Sequence, residues 1–254
     1  MNKNCIISVA NGGYYPACLD RMKESLKRTG YTGDLLTWEN SYPPGCPDHT
    51  VLPYAFKSYA FQEAIKAGYK NVLWLDSAVW AIDSLEPIWK EISEKGYVLF
   101  NNYEHKTGTW CNDTCLKAMN KDREESFTYP HLMACTMGFN VKNPLIQEFL
   151  TRYHQYANDG LTFPGPWSNE NNQASADTRV LGHRHDQTVA SFLAWDMGLR
   201  NWQPMGGFNT PPAYLLYYNK SQDTSKLSKK TVLLSQGGIT PGLLDKTIRT
   251  GTTS

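Results

Sequence analysis

Residues 71–78 read Asn71-Val-Leu-Trp-Leu-Asp-Ser-Ala78. The short apolar run predicts a buried strand, which we place at Lys70–Leu75. In an open parallel sheet, ligands bind beyond the carboxyl ends of the strands. Asp76 follows the strand directly, so its carboxylate is placed to hold a ribose hydroxyl or a divalent ion. The alternative is that Asp76 or Ser77 only caps a local turn.

Strands and helices alternate on both sides of this stretch. Short apolar runs that end at Gly or polar residues predict strands, and apolar residues at helical spacing predict helices. The predicted elements of the first half are strand Cys5–Ala10, helix Tyr15–Thr29, strand Asp34–Thr37, helix Tyr54–Ala67, strand Lys70–Leu75, helix Leu85–Lys95 and strand Tyr97–Phe100. This alternation predicts an α/β fold with a mostly parallel central sheet and helices on both faces.

The second half of the chain is less regular. Its predicted elements are strand Phe139–Val141, helix Pro144–Tyr156, a polar loop at Asn158–Ala176, helix His185–Gly198 and strand Thr231–Leu234. A loop of this length is typical of segments that close over a ligand. Since 254 residues can bury a full core as one unit, we predict a single domain over residues 1–254, with a frayed tail at residues 246–254.

The composition excludes several classes of protein. With 41% hydrophobic and 19% charged residues, the chain has the composition of an ordinary globular protein. Its 25 basic and 24 acidic residues leave a net charge of +1, without the basic excess that a protein tracking nucleic-acid phosphates needs. Nucleic acid is therefore not an expected partner, except as a modified-base acceptor. The motifs of phosphate-binding loops, serine-hydrolase elbows and zinc proteases are absent from the sequence.

The six cysteines are scattered, without Cys-x-x-Cys pairs. Cys111 and Cys115 have a spacing that occurs in some metal sites. No second pair or histidine cluster lies near them in the sequence to complete a tetrahedron, so we do not expect a zinc site. The apolar stretch Ile6–Ala10 is too short for a signal peptide or a membrane span. We therefore expect a reduced, cytoplasmic protein.

Several motifs together resemble one family of enzymes. The run Asn71–Ala78 resembles the hydrophobic strand plus DxD motif of nucleotide-sugar glycosyltransferases with the GT-A fold. The helix at Pro53–Ile65 is similar to the helix that precedes the motif in that family. The segment His131–Asn140 resembles the acceptor-side strand, and His185–Ser191 looks like the Asp-Gln helix start found late in these chains. The resemblance covers about residues 5–200 and implies a GT-A-like single domain.

The resemblance assigns roles to particular residues. In the family, the DxD motif contacts the donor's ribose and sugar and coordinates Mn²⁺ or Mg²⁺ at the diphosphate, and a basic residue of the preceding helix reaches the nucleotide. The donor-binding candidates are Asp76, Ser77, Ala78, Lys57, Ala10 and Asn11. The first strand ends in Ala10-Asn-Gly-Gly13, where small residues let a nucleotide lie against the backbone. No dinucleotide fingerprint is present there.

One position departs from the family's motif. The third residue of the DxD motif is Ala78, where the family usually has the aspartate that is the principal metal ligand. Losing one oxygen donor weakens the charge match to Mg²⁺ or Mn²⁺. A divalent cation can still bind through Asp76 and the diphosphate, so Asp76 is the tentative metal ligand. Alternatively, Lys or Arg neutralises the leaving diphosphate without metal.

His183-Arg-His-Asp186 is the densest polar group in the chain. Asp186 is either a cap favoured by the helix dipole or the catalytic residue, acting on the acceptor as general base or hydrogen-bond partner. His183 and His185, together with Gly138 of the acceptor-side strand, are the candidates for the acceptor or phosphate side; the histidines are otherwise structural. Arg184 matches diphosphate oxygens, unless it is a solvated surface residue.

The resemblance implies a glycosyltransferase that moves a sugar from a nucleoside-diphosphate sugar to a hydroxyl of a glycan or other acceptor. Residues 1–105 or so form the nucleotide-sugar-binding half, and residues 106–245 the acceptor half. Ser235–Gly238 follows the last strand, where family members carry a phosphate contact. Two alternatives stay open. Ala78 favours an inactive module that binds nucleotide or glycan. A sugar nucleotidyltransferase has a basic glycine-rich loop after the first strand, and Asn11–Tyr15 lacks Lys and Arg.

Overall fold

Strands and helices alternate through the first hundred residues. The structure is a computed structural model that describes residues 4–207, 214–218, 225, 227–235 and 242–249. The strands are β1 Asn4–Ala10, β2 Asp34–Glu39, β3 Asn71–Leu75, β4 Val79–Ala81, β5 Tyr97–Val98, β6 Phe100–Lys106, β7 Pro130–Leu132, β8 Thr136–Asn140, β9 Gln203–Gly206, β10 Leu216–Tyr218 and β11 Leu233–Ser235. The helices are α1 Tyr15–Arg28, α2 Phe56–Lys66, α3 Glu86–Lys95, α4 Asp113–Ala118, α5 Arg123–Ser126, α6 Pro144–Ala157, α7 His185–Asp196 and α8 Leu243–Thr247.

The first sheet has five strands in the order β2-β1-β3-β8-β5. Strand β1 is parallel to both β2 and β3, whereas β8 is antiparallel to β3 and β5. Strand β8 begins only a few residues after β7, which belongs to the other sheet. The chain therefore enters β8 from the second sheet, and it runs antiparallel to β3.

A second sheet of six strands has the order β4-β11-β10-β9-β6-β7. Its four inner strands are parallel, and both edge strands are antiparallel to their neighbours. The single strand predicted at Tyr97–Phe100 is divided at Leu99, so that β5 lies in the first sheet and β6 in the second. The sheets are therefore mixed, and the prediction of one mostly parallel sheet is corrected.

Both faces of the first sheet are buried, as the continuous apolar runs of β1 and β3 predict. Ile6 and Leu73 point to one core, which α1 and α3 cover with side chains such as Ile92. Ile7 and Trp74 point to the opposite core, which α2, α6 and α7 cover. This alternation places helices on both faces of the sheet, in agreement with the prediction.

One side chain, Asn169, orders the second half of the polar loop between α6 and α7. The Asn169 amide oxygen accepts hydrogen bonds from the backbone N–H groups of Ala174 (2.9 Å) and Ser175 (3.0 Å). Its amide nitrogen donates to the carbonyl oxygens of Ser175 (2.9 Å) and Val180 (3.0 Å). A side chain that satisfies several backbone groups replaces the hydrogen bonds of regular structure. The loop thus has a defined conformation, which presents Trp167 on its surface.

Part of the predicted tail packs against the domain. The Trp80 indole donates to the hydroxyl of Thr247 (3.2 Å), and the Arg249 N–H donates to the Ile82 carbonyl (2.8 Å). Residues 250–254 of that prediction lie outside the described residues. In the part of the chain that the structure describes, no helix combines the length and apolar character needed to cross a membrane.

Gly138, a candidate of the acceptor side, lies in β8 and faces α3. A Cβ added there would come within 2.6 Å of both Ile92 Cδ1 and Val98 Cγ1. The hydrogen in place of a side chain lets α3 approach the sheet closely. The surroundings of Gly138 are thus a packed core rather than a cavity.

Replacing Gly138 by Ala should lower the free energy of unfolding by about 1–3 kcal/mol, because the new methyl group overpacks this core. Shortening the neighbour in Gly138→Ala/Ile92→Val should recover part of the loss. Urea unfolding of both variants measures the effect. Unchanged stability, combined with lost ligand binding, would instead assign Gly138 to a binding site.

Candidate functional site

A cavity of about 810 Å³ opens where the carboxyl ends of β1 and β3 meet. Ligand sites of open α/β sheets form at this edge because the parallel strands end there together. The walls come from both sheets and from the segments before α2 and α7. The lining residues are Val9, Asn11, Tyr14, Tyr15, Tyr42, His49, Tyr54, Phe56, Lys57, Trp74, Asp76, Ser77, Ala78, Asn102, His105, Trp110, His131, Met133, Cys135, Trp167, Arg184, Asp186, Gln187 and Ser235.

The ammonium group of Lys57 lies between two carboxylates at the floor of the cavity. Its Nζ is 2.9 Å from Asp186 Oδ2 and 3.2 Å from Asp76 Oδ1. Nζ also donates to the carbonyl oxygen of Ala134 (2.9 Å). The ammonium group thus has two carboxylate oxygens and one carbonyl oxygen around it. Lys57 therefore orients the two carboxylates instead of reaching out to a ligand.

Burial and mutual contact shift the pKa values of Lys57 and Asp186. The side chains of Lys57 and Asp186 are 3% and 5% exposed. Burial alone lowers the pKa of Lys57, but Asp186 and Asp76 outweigh it, so the pKa lies above its usual value and the ammonium stays charged. Burial raises the pKa of Asp186 to about 6, although Lys57 opposes the shift. Asp186 is thus ionised at neutral pH and protonated in mild acid.

Asp76 is the more accessible of the two acids, with its side chain 37% exposed. The Trp74 indole N–H donates to Asp76 Oδ1 (2.7 Å), the same oxygen that contacts Lys57. The backbone N–H of Asp76 donates to the Cys135 carbonyl (2.8 Å). No described residue donates to Oδ2, so this oxygen can accept hydrogen bonds from a ligand. The structure thus gives Asp76 a fixed orientation and an available oxygen.

An aromatic wall stands beside the carboxylates. The rings of Tyr54 and His185 stack with centroids 5.3 Å apart, and Trp167 meets His185 edge to face at 4.8 Å. Tyr54 and His185 have left-handed backbones, with φ of 61° and 48°. Such conformations cost about 1–3 kcal/mol each and concentrate at functional sites. Each lies where the chain enters the helix that carries Lys57 or Asp186.

Arg184 lies in the same wall, between two indole rings. Its guanidinium carbon is 3.8 Å from the ring centroid of Trp110 and 4.8 Å from that of Trp167. Nη1 donates to the Trp167 carbonyl (2.7 Å). Among the described residues, no carboxylate forms an ion pair with Arg184. A cavity-lining guanidinium held flat by aromatic rings and without an acidic partner is suited to bind an anion.

Six of the predicted site residues line the cavity, and four do not. Those in the cavity are Asn11, Lys57, Asp76, Ser77, Ala78 and Asp186. Ala10 is buried against α1, and Gly138 against α3. His183 and His185 do not line the cavity. His183 Nε2 bonds to the Thr162 carbonyl (2.9 Å), and His185 Nδ1 bonds to the Phe163 carbonyl (2.8 Å). Burial lowers the pKa of His185 to about 4, so its imidazole is neutral.

Sequence reasoning identified only some of the residues that line the cavity. His131, Met133 and Cys135 all line it, and their period-two spacing is a signal that could have assigned them to one face. Asn102 and His105 come from β6, whose sheet was not predicted, so nothing in the sequence indicated them. Ser235 lies in the cavity as well, whereas residues 236–238 of the predicted phosphate contact lie outside the described residues.

The protein side chains around Asp76 do not by themselves supply the ligand set of a divalent ion. Asp76 Oδ1 and Asp186 Oδ2 both contact the Lys57 ammonium. The side chain of Ala78 has no oxygen. Among the described residues, no third carboxylate or imidazole joins these acids at metal-binding distances. Mg²⁺ and Mn²⁺ require several oxygen ligands, and a buried ammonium between the two carboxylates repels a second cation.

Solved structures with a similar fold are known. One of them is the crystal structure of a glycosyltransferase involved in the glycosylation of the major capsid of PBCV-1, with a TM-score of 0.51 and 15% sequence identity. The likeness covers 96% of this chain and 98% of that chain. At this identity the likeness shows a shared mixed α/β fold. No protein-family model and no curated protein sequence matches the chain.

Replacing Lys57 by Met should lower the free energy of unfolding by about 3–5 kcal/mol, because it leaves Asp186 buried without its cation. Removing both charges in Lys57→Met/Asp186→Leu should recover much of this loss. Chemical denaturation measures both variants. The control is Lys66→Met in the same helix, where an exposed ion pair with Glu63 contributes less than about 1 kcal/mol. Equal effects at the two lysines would contradict the buried cluster.

Proposed function

We propose that this chain is a glycosyltransferase that moves a sugar from a nucleoside-diphosphate sugar to an acceptor hydroxyl. The observation that carries the proposal is the pair of carboxylates, Asp76 and Asp186, which Lys57 holds in one cavity at the carboxyl edge of the first sheet. The structural likeness to a capsid glycosyltransferase supports the same class of reaction. An acid for the donor and an acid for the acceptor are the parts that such a reaction needs.

On the donor side, Asp76 accepts hydrogen bonds through Oδ2 from hydroxyl groups of the ribose or the sugar. Asn11 lines the neighbouring wall at the end of β1. Tyr14 and Tyr15 also line it, are nearly half exposed, and have ring centroids 4.7 Å apart. Exposed aromatic faces stack on flat bases and on the apolar faces of sugars. These residues form the donor-binding surface of the proposal.

The diphosphate carries the largest negative charge of the donor, and Arg184 is the cation placed to meet it. The charge of Lys57 is already compensated within the protein, because its buried ammonium lies between two carboxylates and donates to the Ala134 carbonyl. The planar guanidinium of Arg184 forms paired hydrogen bonds with phosphate oxygens. Neutralising the leaving diphosphate lowers the barrier to its departure. We therefore propose a transfer that does not depend on a divalent ion held by protein carboxylates.

On the acceptor side, Asp186 takes the proton of the attacking hydroxyl. The acceptor oxygen forms a bond to the anomeric carbon while the bond from that carbon to the diphosphate oxygen breaks. The nucleoside diphosphate leaves with the electron pair, and the proton moves to the Asp186 carboxylate. A base is most effective when its pKa lies near the working pH, and burial raises that of Asp186 to about 6.

Asp76→Asn tests the donor site, because it keeps the shape and the bond from Trp74 but removes the charge. A hydrogen bond to a charged group contributes about 1.5–3 kcal/mol, so kcat/KM should fall about 10- to 100-fold. The substrates come from a thermal-shift screen of UDP-, GDP-, CMP- and dTDP-sugars, with and without Mn²⁺. The same stabilisation with and without Mn²⁺ is the result expected.

The matched control is Asp20→Asn, which removes an exposed carboxylate of α1 and should leave turnover unchanged. Unchanged turnover in Asp76→Asn would overturn the assignment. Sugar-nucleotide binding without transfer or hydrolysis would favour the inactive binding module. Formation of a sugar nucleotide from a nucleoside triphosphate and a sugar phosphate would identify a nucleotidyltransferase instead.

The pH dependence tests the role of Asp186. Since its pKa is raised to about 6 and only the ionised carboxylate accepts a proton, kcat/KM should rise with pH and reach half its plateau near pH 6. Asp186→Asn should lose most activity together with this limb of the profile. A wild-type profile that is flat from pH 5 to 7 would exclude Asp186 as the base.

A further inference from the structure

A second group of reactive side chains lies outside the cavity. The Sγ atoms of Cys111 and Cys115 and a ring nitrogen of His183 lie within 4.8 Å of one another. All three residues are fully buried. Within the described residues, no other group of three His, Cys, Asp or Glu side chains is arranged in this way. The fold therefore supplies the histidine that the sequence around the two cysteines lacks.

Local structure fixes the two thiols. Cys111 lies directly before Asn112, the N-cap of α4, and Cys115 lies in the first turn of that helix. The Asn112 side-chain oxygen accepts from the Cys115 N–H (2.7 Å), and its amide group donates to the Pro164 carbonyl (3.1 Å). This cap brings both sulfur atoms to one end of α4 and joins that end to the loop that carries Pro164.

The imidazole of His183 is oriented for ligation. Its Nε2–H donates to the Thr162 carbonyl (2.9 Å), which leaves the lone pair on Nδ1. The Asn112 N–H approaches Nδ1 only at 3.5 Å, the outer limit for a hydrogen bond. A ring that donates one N–H to a backbone carbonyl and offers the other nitrogen is the usual arrangement of a metal-bound histidine. The carbonyl thus selects the tautomer that a metal requires.

We propose that Cys111, Cys115 and His183 bind a zinc ion through two thiolates and Nδ1. Two sulfur ligands and one imidazole nitrogen suit Zn²⁺ better than oxygen-loving ions. Binding releases one proton from each thiol to solvent, so two thiolates balance the charge of the ion and the buried site stays neutral. The group supplies three protein ligands to the ion.

The ion joins three parts of the chain that lie next to the aromatic wall of the cavity. It connects the start of α4 to the residue that immediately precedes Arg184, and His183 is linked in turn to the loop at Thr162. Gly165 packs so closely here that a Cβ would overlap the Asn112 amide and the His183 ring. The role is structural, and it does not rest on the proposed sugar transfer.

The test is the metal content of the full chain, purified under reducing conditions without added metal and measured by mass spectrometry. The expected result is about one zinc ion per chain, released when a mercurial reagent blocks the thiols. Replacement by Co²⁺ should give the absorption bands of cobalt–thiolate bonds. Cys111→Ser and His183→Ala should lose the metal, whereas Cys46→Ser, a cysteine outside the group, should retain it.

Wild-type measurements decide the outcome if those variants do not fold. A strong chelator should lower the melting temperature of the wild-type protein, since a bound structural metal contributes to folding free energy. Wild-type protein without stoichiometric zinc and without cobalt–thiolate bands would overturn the proposal. A Cys111–Cys115 disulfide, found by peptide mass mapping without reduction, would overturn it as well.

Discussion

The contact of the Lys57 ammonium with two carboxylates is the constraint on which the site depends. A buried charge is tolerated only when partners compensate for its lost hydration, and Asp186, Asp76 and the Ala134 carbonyl are those partners. Lys57 and its three partners come from four parts of the chain: α2, α7, the end of β3 and the connection before β8. Because no partner can move without exposing a charge to an apolar surrounding, the four elements hold one arrangement.

The surrounding structure reinforces this arrangement from two sides. Trp74 lies within the core and still reaches Asp76 with its indole N–H, so packing of the first sheet directly orients a carboxylate. On the other side, the stacked rings of Tyr54 and His185 fix how the chain enters α2 and α7. The second sheet contributes the far wall through His105 and His131. Contacts from both sides thus fix the orientation of the two acids in the cavity.

Sequence reasoning reached the parts of the fold and site that depend on local pattern. The apolar runs of β1 and β3 predicted strands buried on both faces, and their ends predicted Asp76 at a ligand-binding edge. Features that depend on contacts between distant parts of the chain were not predicted. The direction of β8 depends on a connection from another sheet, and the second sheet consists of strands too short for a clear period. The resemblance assigned Lys57 to the nucleotide, whereas its contacts with Asp76, Asp186 and the Ala134 carbonyl join residues of other elements and were not predicted. The approach of His183 to two cysteines is likewise visible only in three dimensions.

The charges that line the cavity have a kinetic consequence. Asp76 and Asp186 contribute two negative charges, and Lys57 and Arg184 contribute two positive ones, so these four side chains sum to zero. The chain as a whole carries only +1. Long-range attraction needs a field of one sign, and neither the cavity nor the whole chain supplies one. An anionic ligand therefore arrives by unguided diffusion, and its association rate varies little with ionic strength.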